Sequence, residues 1–468
     1  MAKPSEILLQ KFPFEPTASQ RVLFDHFDAF LLDKEMRKPV LVMRGYAGTG
    51  KTTVVSAIVK TLPFFQLKYV LMAPTGRAAK VMSGYSKRVA FTIHKKIFQQ
   101  TAAPGGGLVF KRQKNYHKDT VFIVDEASMI NDSADYGKNG LLADLFEYVF
   151  SQEGNRLLLI GDQAQLPPVG SQDSPALEKA YLQSQFKADV LHTELTDVMR
   201  QAEDSGILFN ATALRNQLPK EGVKIELTTQ RFNDIFKMTG ERLEDGLRYA
   251  YDKYGTSGTV VICRSNKNAV QYNAYIRRAI QYKEEELEAG DLLMIVRNNY
   301  HFLPEDTPAG FLANGDFIEV MKIIRFEENY GLRFADLRLR LVDYPEQEPF
   351  EAKVILDTLH TDEAALNSAA YKKLYEEVSA DYTDVATKTE RMKAIKKDTF
   401  LNALQIKFAY ALTCHKSQGG QWSAVFVDQG YLTEERIDKE YIRWLYTGVT
   451  RATRELYMVN FHKNFFVG

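Results

Sequence analysis

Short runs of consecutive apolar residues recur along the chain, at 41–43, 69–73, 120–124, 156–160, 258–263, 407–413, 424–427 and 455–460. Each is too short for a core helix and lacks the alternation of a strand with one wet face, so each predicts a buried strand. Apolar residues between the runs return at helical spacing. Val22, Leu23, Phe24, Phe27, Phe30 and Leu31 mark the first such helix, with Thr17 and Gln20 as a capping box at its start. Buried strands alternating with helices predict open α/β sheets. Three stretches break this rhythm. Residues 102–118, with Pro104 and three glycines before Leu108–Arg112, predict a small β-hairpin. Short β patterns at 291–296, 315–323 and 332–342, with Gly and Asn-Gly turns, predict a small barrel. The charged, alanine-rich stretch 361–400 predicts one or two solvent-exposed helices.

The expected organisation is therefore a first α/β domain over 1–195 and a second over 196–282 and 401–468, interrupted by a β-rich insert at 283–400. At 468 residues, 45% apolar, and with no 18-residue apolar run, the composition is that of a soluble globular chain rather than a membrane-spanning one. The N-terminus lacks the apolar region and cleavage site of a secretory signal. The two cysteines, Cys263 and Cys414, sit in apolar surroundings and read as core residues of a reducing compartment, which points to the cytoplasm. Net charge is zero, but its distribution is not even. Residues 36–118 carry sixteen Lys or Arg and no acid, where a uniform spread of the sixty acids would place roughly ten. A track for a polyanion explains such a bias, and so does a basic face balanced in space by acidic neighbours.

The candidate chemistry begins at Gly45-Tyr46-Ala47-Gly48-Thr49-Gly50-Lys51-Thr52-Thr53, a P-loop pattern between a strand and a helix. Glycines let backbone N–H groups turn inward around phosphate oxygens at a helix N-terminus. Lys51 would reach the β/γ-phosphates and Thr52 would hold Mg²⁺, so the chain is expected to bind a nucleoside triphosphate. The 120–124 strand delivers Asp125 and Glu126, the first to hold Mg²⁺ and the second to polarise the attacking water. The 156–160 strand leads to Gln165, placed to sense a γ-phosphate. Gln20 has two readings, a helix cap or a reader of adenine. Pro74 and Thr75 after one strand, and His94 among lysines, suit phosphate contacts. Phe110 on the basic hairpin suits stacking on a base or wedging a duplex, and simple packing equally. The second domain has no P-loop of its own, so arginines such as Arg200 and Arg451 are expected to complete the first domain's site across a cleft.

Eight blocks, GYAGTGKTT, APTGRAAK, TIHKKIF, VDEASM, GDQAQLPPV, LTDVMRQ, ALTCHKSQG and YTGVTRA, stand in the order found in superfamily 1B helicases of the RecD-like and Dda-like type, which this chain resembles. The resemblance implies two RecA-like domains with ATP and Mg²⁺ between them. It implies a hairpin pin at about 97–118 carrying Phe110, and an SH3-like barrel within 283–400. It also implies that Arg200 and Arg451 reach the γ-phosphate, that Gln20 reads adenine, and that Pro74, Thr75, His94, Thr413 and His415 line single-stranded DNA. The expected activity is ATP-driven 5′–3′ movement and unwinding at single-strand/duplex junctions by a monomer. Replication, recombination or repair and single-strand-binding proteins are its expected context. The alternatives are an ATPase that remodels RNA or protein–DNA complexes, and a binding module switched by ATP.

Overall fold

The computed structural model describes residues 2–102, 108–132, 140–198, 204–304, 307, 309, 311–433 and 436–467, and for 100–102 and 108–110 the backbone alone. Strands β1 (Val40–Gly45), β2 (Lys68–Ala73) and β3 (Ala90–Thr92) are followed by a hairpin, β4 (Phe98–Ala102) and β5 (Leu108–Arg112), then by β6 (Thr120–Val124), β7 (Arg156–Gly161) and β8 (Val190–Leu195). Apart from the hairpin these form one six-stranded sheet in the order β3-β2-β6-β7-β1-β8, parallel throughout. Helices cover both faces, each with its own apolar core, which is why the strands carry no polar alternation. The helix Ala18–Leu32 buries Leu23, Phe24, Phe27, Phe30 and Leu31, whereas Val22 is exposed and lies off that stripe. In the hairpin the backbone of Phe110 pairs with Gln100, while the Phe110 side chain lies outside the described residues.

A second parallel sheet uses β9 (Ile235–Met238) and β10 (Thr259–Cys263). The chain then leaves it for β11 (Leu292–Ile295), β12 (Phe317–Asn329), β13 (Leu332–Leu341), β14 (Phe350–Ile355) and β15 (Leu404–Phe408), which close into a barrel. It returns as β16 (Ala411–Thr413), β17 (Trp422–Asp428) and β18 (Ala452–Val459), giving the order β16-β10-β17-β18-β9. The charged stretch forms two helices, Ser368–Ala380 and Lys388–Lys397, on the barrel.

Several boundaries differ from the sequence reading: the hairpin pairs 98–102 with 108–112 rather than occupying 102–118, and the barrel runs on through β15, past the expected limit of the insert at 400. The run at 407–413 is not a single strand: Phe408 ends the barrel, and the second sheet resumes at Ala411. Both strands are buried, so the apolar run continues across a bend at Ala409-Tyr410 that hydrophobicity cannot locate. Buried polar groups fix the bend. Asn273 Oδ1 accepts from the amides of Tyr410 and Ala411 at 2.9 and 2.8 Å, and the Tyr410 hydroxyl donates to Asp291 at 2.9 Å.

Barrel and second sheet share one continuous core, and Ala164 and Leu166 of the first domain insert into it. At about 1.5–3 kcal/mol for a fully buried leucine, Leu166 alone gives the two halves a substantial attachment.

Candidate active site between the two sheets

The carboxyl ends of β1, β2, β6 and β7 face the second sheet, where open α/β folds hold their ligands. After β1 the P-loop turns through left-handed Gly48 (φ 77) and Gly50 (φ 82) into the helix Lys51–Thr61, conformations in which a side chain would be strained. The Lys51 ammonium donates to the carbonyls of Gly45 and Tyr46 at 2.6 and 2.9 Å. Thr52 stands exposed on the first helical turn, with Thr53 beside it. Gln20 is fully buried, accepting from Thr17 N and donating to Thr49 O, both at 3.0 Å. The cap is thus formed, and the same amide braces the P-loop.

Asp125 and Glu126 follow β6. Asp125 Oδ1 accepts from the Glu126 amide at 2.8 Å, and Oδ2 accepts from the Tyr85 hydroxyl at 2.6 Å. Glu126 adopts φ 52, an unusual conformation for a non-glycine residue and one that recurs at functional sites. Burial raises its pKa; Arg451 and Lys51 oppose that rise, while Asp125 and Asp162 add to it. These five side chains thus share one electrostatic environment. Arg451 Nη1 lies 3.9 Å from Glu126 Oε1, and its guanidinium, 3% exposed, is held by Thr447 O, Gly420 O and Thr450 Oγ1 at 3.1, 3.3 and 3.2 Å. An arginine of the second sheet therefore faces the acid pair of the first. Gln165 is buried nearby in the loop after Asp162, its Oε1 without a hydrogen-bond partner among the described residues. Arg200 lies outside the described residues. A hydroxyl at Thr52 and a carboxylate at Asp125 are hard oxygen donors, a set that fits Mg²⁺ completed by phosphate and water.

The two halves meet along the helix Lys439–Val449, among other contacts. Arg443 donates to Gln163 O at 2.9 Å, the Tyr446 hydroxyl bonds both Ala47 and Asp162, and Thr447 Oγ1 accepts from Leu166 N at 2.9 Å. Sequence reasoning missed Arg443, Tyr446 and Tyr85. For the first two a signal existed, since Arg443, Tyr446, Thr447 and Thr450 recur at helical spacing on one face of an otherwise buried helix. Tyr85 carried none.

The candidate strand-binding residues come from both halves. Thr75, following Pro74, caps the helix Gly76–Ser86 by accepting from Ala78 N at 3.2 Å. Gly419 (φ 73) presses against it, so closely that a Cβ there would lie 3.1 Å from Thr75 Oγ1 and 2.8 Å from Ala78 Cβ. Thr413 and exposed His415 stand a few residues upstream. His94 packs on Phe98 with 5.7 Å between ring centres, and burial lowers its pKa to about 4, leaving a neutral imidazole.

The basic stretch is in part a structural device rather than an open track. Arg77 packs on the rings of both Trp422 and Phe317, at 4.1 and 4.6 Å from their centres, joining helix, second sheet and barrel. Lys80 pairs with Asp343 at 3.1 Å, Lys95 donates to Thr307 O at 3.0 Å, and Arg112 pairs with Asp144 at 2.9 Å and with Glu147. The acids that balance these cations are distant in sequence, so the uneven charge distribution could not reveal them.

Comparison with known proteins agrees with this geometry. The AAA domain family matches residues 31–234, and the UvrD-like helicase C-terminal domain matches 408–459. The ATP-dependent RecD2 DNA helicase of Deinococcus radiodurans is 32% identical over 188 residues, 40% of this chain and 23% of that protein. The ATP-dependent DNA helicase Dda of Enterobacteria phage T4 is 22% identical over 90% of this chain and 95% of its own length. These matches make the chain similar to the superfamily 1B helicases. An uncharacterised protein of Acanthamoeba polyphaga mimivirus is 25% identical over 89% of this chain and 94% of its own length. No helix among the described residues is long and apolar enough to cross a membrane.

Proposed function

We propose that this chain is an ATP-dependent DNA helicase that moves along single-stranded DNA and opens duplex at a junction. The observation that carries the reading is Arg451 of the second sheet facing Glu126 of the first, within the same electrostatic environment as Lys51. ATP binds the P-loop through backbone N–H groups and Lys51, with Arg451 and Arg200 supplying positive charge from the other half. Those arginines reach the triphosphate only in the closed cleft, so ATP favours closure. Glu126 orients the attacking water and accepts its proton. Thr52 and Asp125 would hold Mg²⁺, which neutralises charge developing on the phosphates. Hydrolysis removes the preference for closure, and alternating grip by Pro74, Thr75 and His94 on one half and Thr413 and His415 on the other converts each cycle into a step. Gln165 reports the γ-phosphate. Gln20 borders the adenine as well as bracing the P-loop.

In this reading the closed barrel is an SH3-like insert and the hairpin is the separating pin, with Phe110 at its wedge. The direction expected from the family is 5′ to 3′, the acting unit a monomer, and the setting cytoplasmic DNA replication, recombination or repair, alongside single-strand-binding proteins. Duplexes with a 5′ or a 3′ single-stranded tail test the proposal. ATP-dependent opening of the 5′-tailed substrate is expected, together with hydrolysis strongly stimulated by single-stranded DNA. Stimulation without strand separation would favour a remodelling ATPase instead.

A further inference from the structure

The helix Lys439–Val449 meets the P-loop through one hydroxyl. The Ala47 amide donates to Tyr446 Oη at 2.8 Å, and that hydroxyl donates to Asp162 Oδ2 at 2.6 Å. Tyr446 is wholly buried. A buried phenol is satisfied by one acceptor; this one reaches from the second half to bridge a P-loop N–H and a carboxylate that both belong to the first, in a chain where each bond polarises the next. Two positions earlier on the same helix, Trp444 O accepts from Cys414 Sγ at 3.3 Å, and Cys414 stands between Thr413 and His415. One helix thus touches both the candidate strand-binding segment and the phosphate loop.

We propose that Tyr446 is a positioning residue that reports DNA occupancy to the P-loop: its hydroxyl fixes the Ala47 amide when the two halves are drawn together on the strand. A P-loop works by aiming its N–H groups. Holding one of them from the opposite half makes loop geometry conditional on closure, which rests on the helicase reading above. Asp162 completes the report, because its Oδ1 is itself fixed by Ala164 N at 2.9 Å.

Tyr446→Phe keeps the ring in the core and removes only the hydroxyl. The factor by which single-stranded DNA stimulates ATP hydrolysis is expected to fall about tenfold or more, as for loss of a hydrogen bond to a charged group, while a single-stranded oligonucleotide still binds. Asp162→Asn is expected to lose the same stimulation, and the double variant to be no worse than the weaker single, since both act through one chain of bonds. Undiminished stimulation in Tyr446→Phe overturns the proposal. So does a parallel fall in stimulated and DNA-free rates, which marks a damaged loop. In the unaltered protein, amide hydrogen exchange over residues 45–50 should slow when the oligonucleotide is added without nucleotide; unchanged exchange overturns the proposal even if neither variant folds. Hydrolysis by the unaltered protein that ignores DNA overturns the helicase reading, and this one with it.

Discussion

At the scale of single residues, the site depends on groups whose charge is fixed by their neighbours. Arg451 places a buried guanidinium opposite Glu126; in the proposed mechanism its removal withdraws charge stabilisation of the kind that arginine fingers supply, about 10³–10⁵ in rate. Arg451→Ala is expected to lose hydrolysis on that scale while single-stranded DNA still binds; steady-state ATPase and anisotropy titrations measure the two. Tyr85 orients Asp125 from behind. If Asp125 holds Mg²⁺ as proposed, Tyr85 is an outer partner of a metal-binding carboxylate, and such partners are worth about 10–100-fold in metal affinity or activity. Tyr85→Phe should therefore raise the Mg²⁺ concentration needed for half-maximal hydrolysis by a factor in that range, and an unaltered Mg²⁺ titration would refute the role. The proposed roles of Lys51, Asp125 and Glu126 were read from side chains next to glycines or at a strand end, and that of Arg451 from the family resemblance; the fold brings the four side chains together. Tyr85 was not, since a tyrosine near the end of a helix is ordinary and only the fold brings its hydroxyl to Asp125. Gln20 was legible as a cap, and its bond to Thr49 was not.

At the scale of elements, two contacts set how the halves meet: the helix Lys439–Val449 on the loop 162–166, and the Gly419 turn on the Thr75 cap. The second leaves no room for a side chain and uses a backbone conformation that disfavours one. Gly419→Ala should push the proposed strand-binding segments apart, weakening affinity for single-stranded DNA and its stimulation of hydrolysis more than DNA-free hydrolysis. Parallel binding and rate measurements decide this, and equal losses would place the damage elsewhere. The parallel strands were readable because burial on both faces writes a continuous apolar run. The same property hid the seam between β15 and β16, since a barrel strand and a sheet strand that are both buried look alike. The hairpin was announced by its Pro-Gly-rich turn, and its antiparallel pairing agrees.

At the scale of the whole molecule, the barrel is fastened to the first domain by Arg77 on the Phe317 ring and by the Lys80–Asp343 pair, and Asp316 lies so close to Gly76 that a Cβ there would collide with it. None of this was visible beforehand, because a cation in a basic stretch gives no sign of the aromatic or acid it will meet hundreds of residues away. Asp316 is the costly member. Its Oδ1 is buried without a partner among the described residues, and its pKa is pushed up to about 7, first by burial and also by Asp343, against the opposing hydrogen bond from Ala313 N. Between the ordinary aspartate range and about 7 the folded chain keeps a proton that the unfolded chain releases. Stability should therefore fall as pH rises through that window, by up to about 1.4 kcal/mol per pH unit, and level off above it. Asp316→Asn should flatten the slope and be the more stable protein at alkaline pH, as read by denaturant unfolding across the range; an unchanged slope would assign it to another group.

The sealed state of both native thiols has a practical corollary. Cys263 and Cys414 are buried, and burial raises both pKa values, that of Cys414 to about 12, so neither offers a reactive thiolate at neutral pH. A pair of cysteines introduced on opposite outer surfaces of the cleft could then carry a fluorophore pair against a silent background. The stroke of the motor could be watched one molecule at a time without first stripping the protein of its own sulfur.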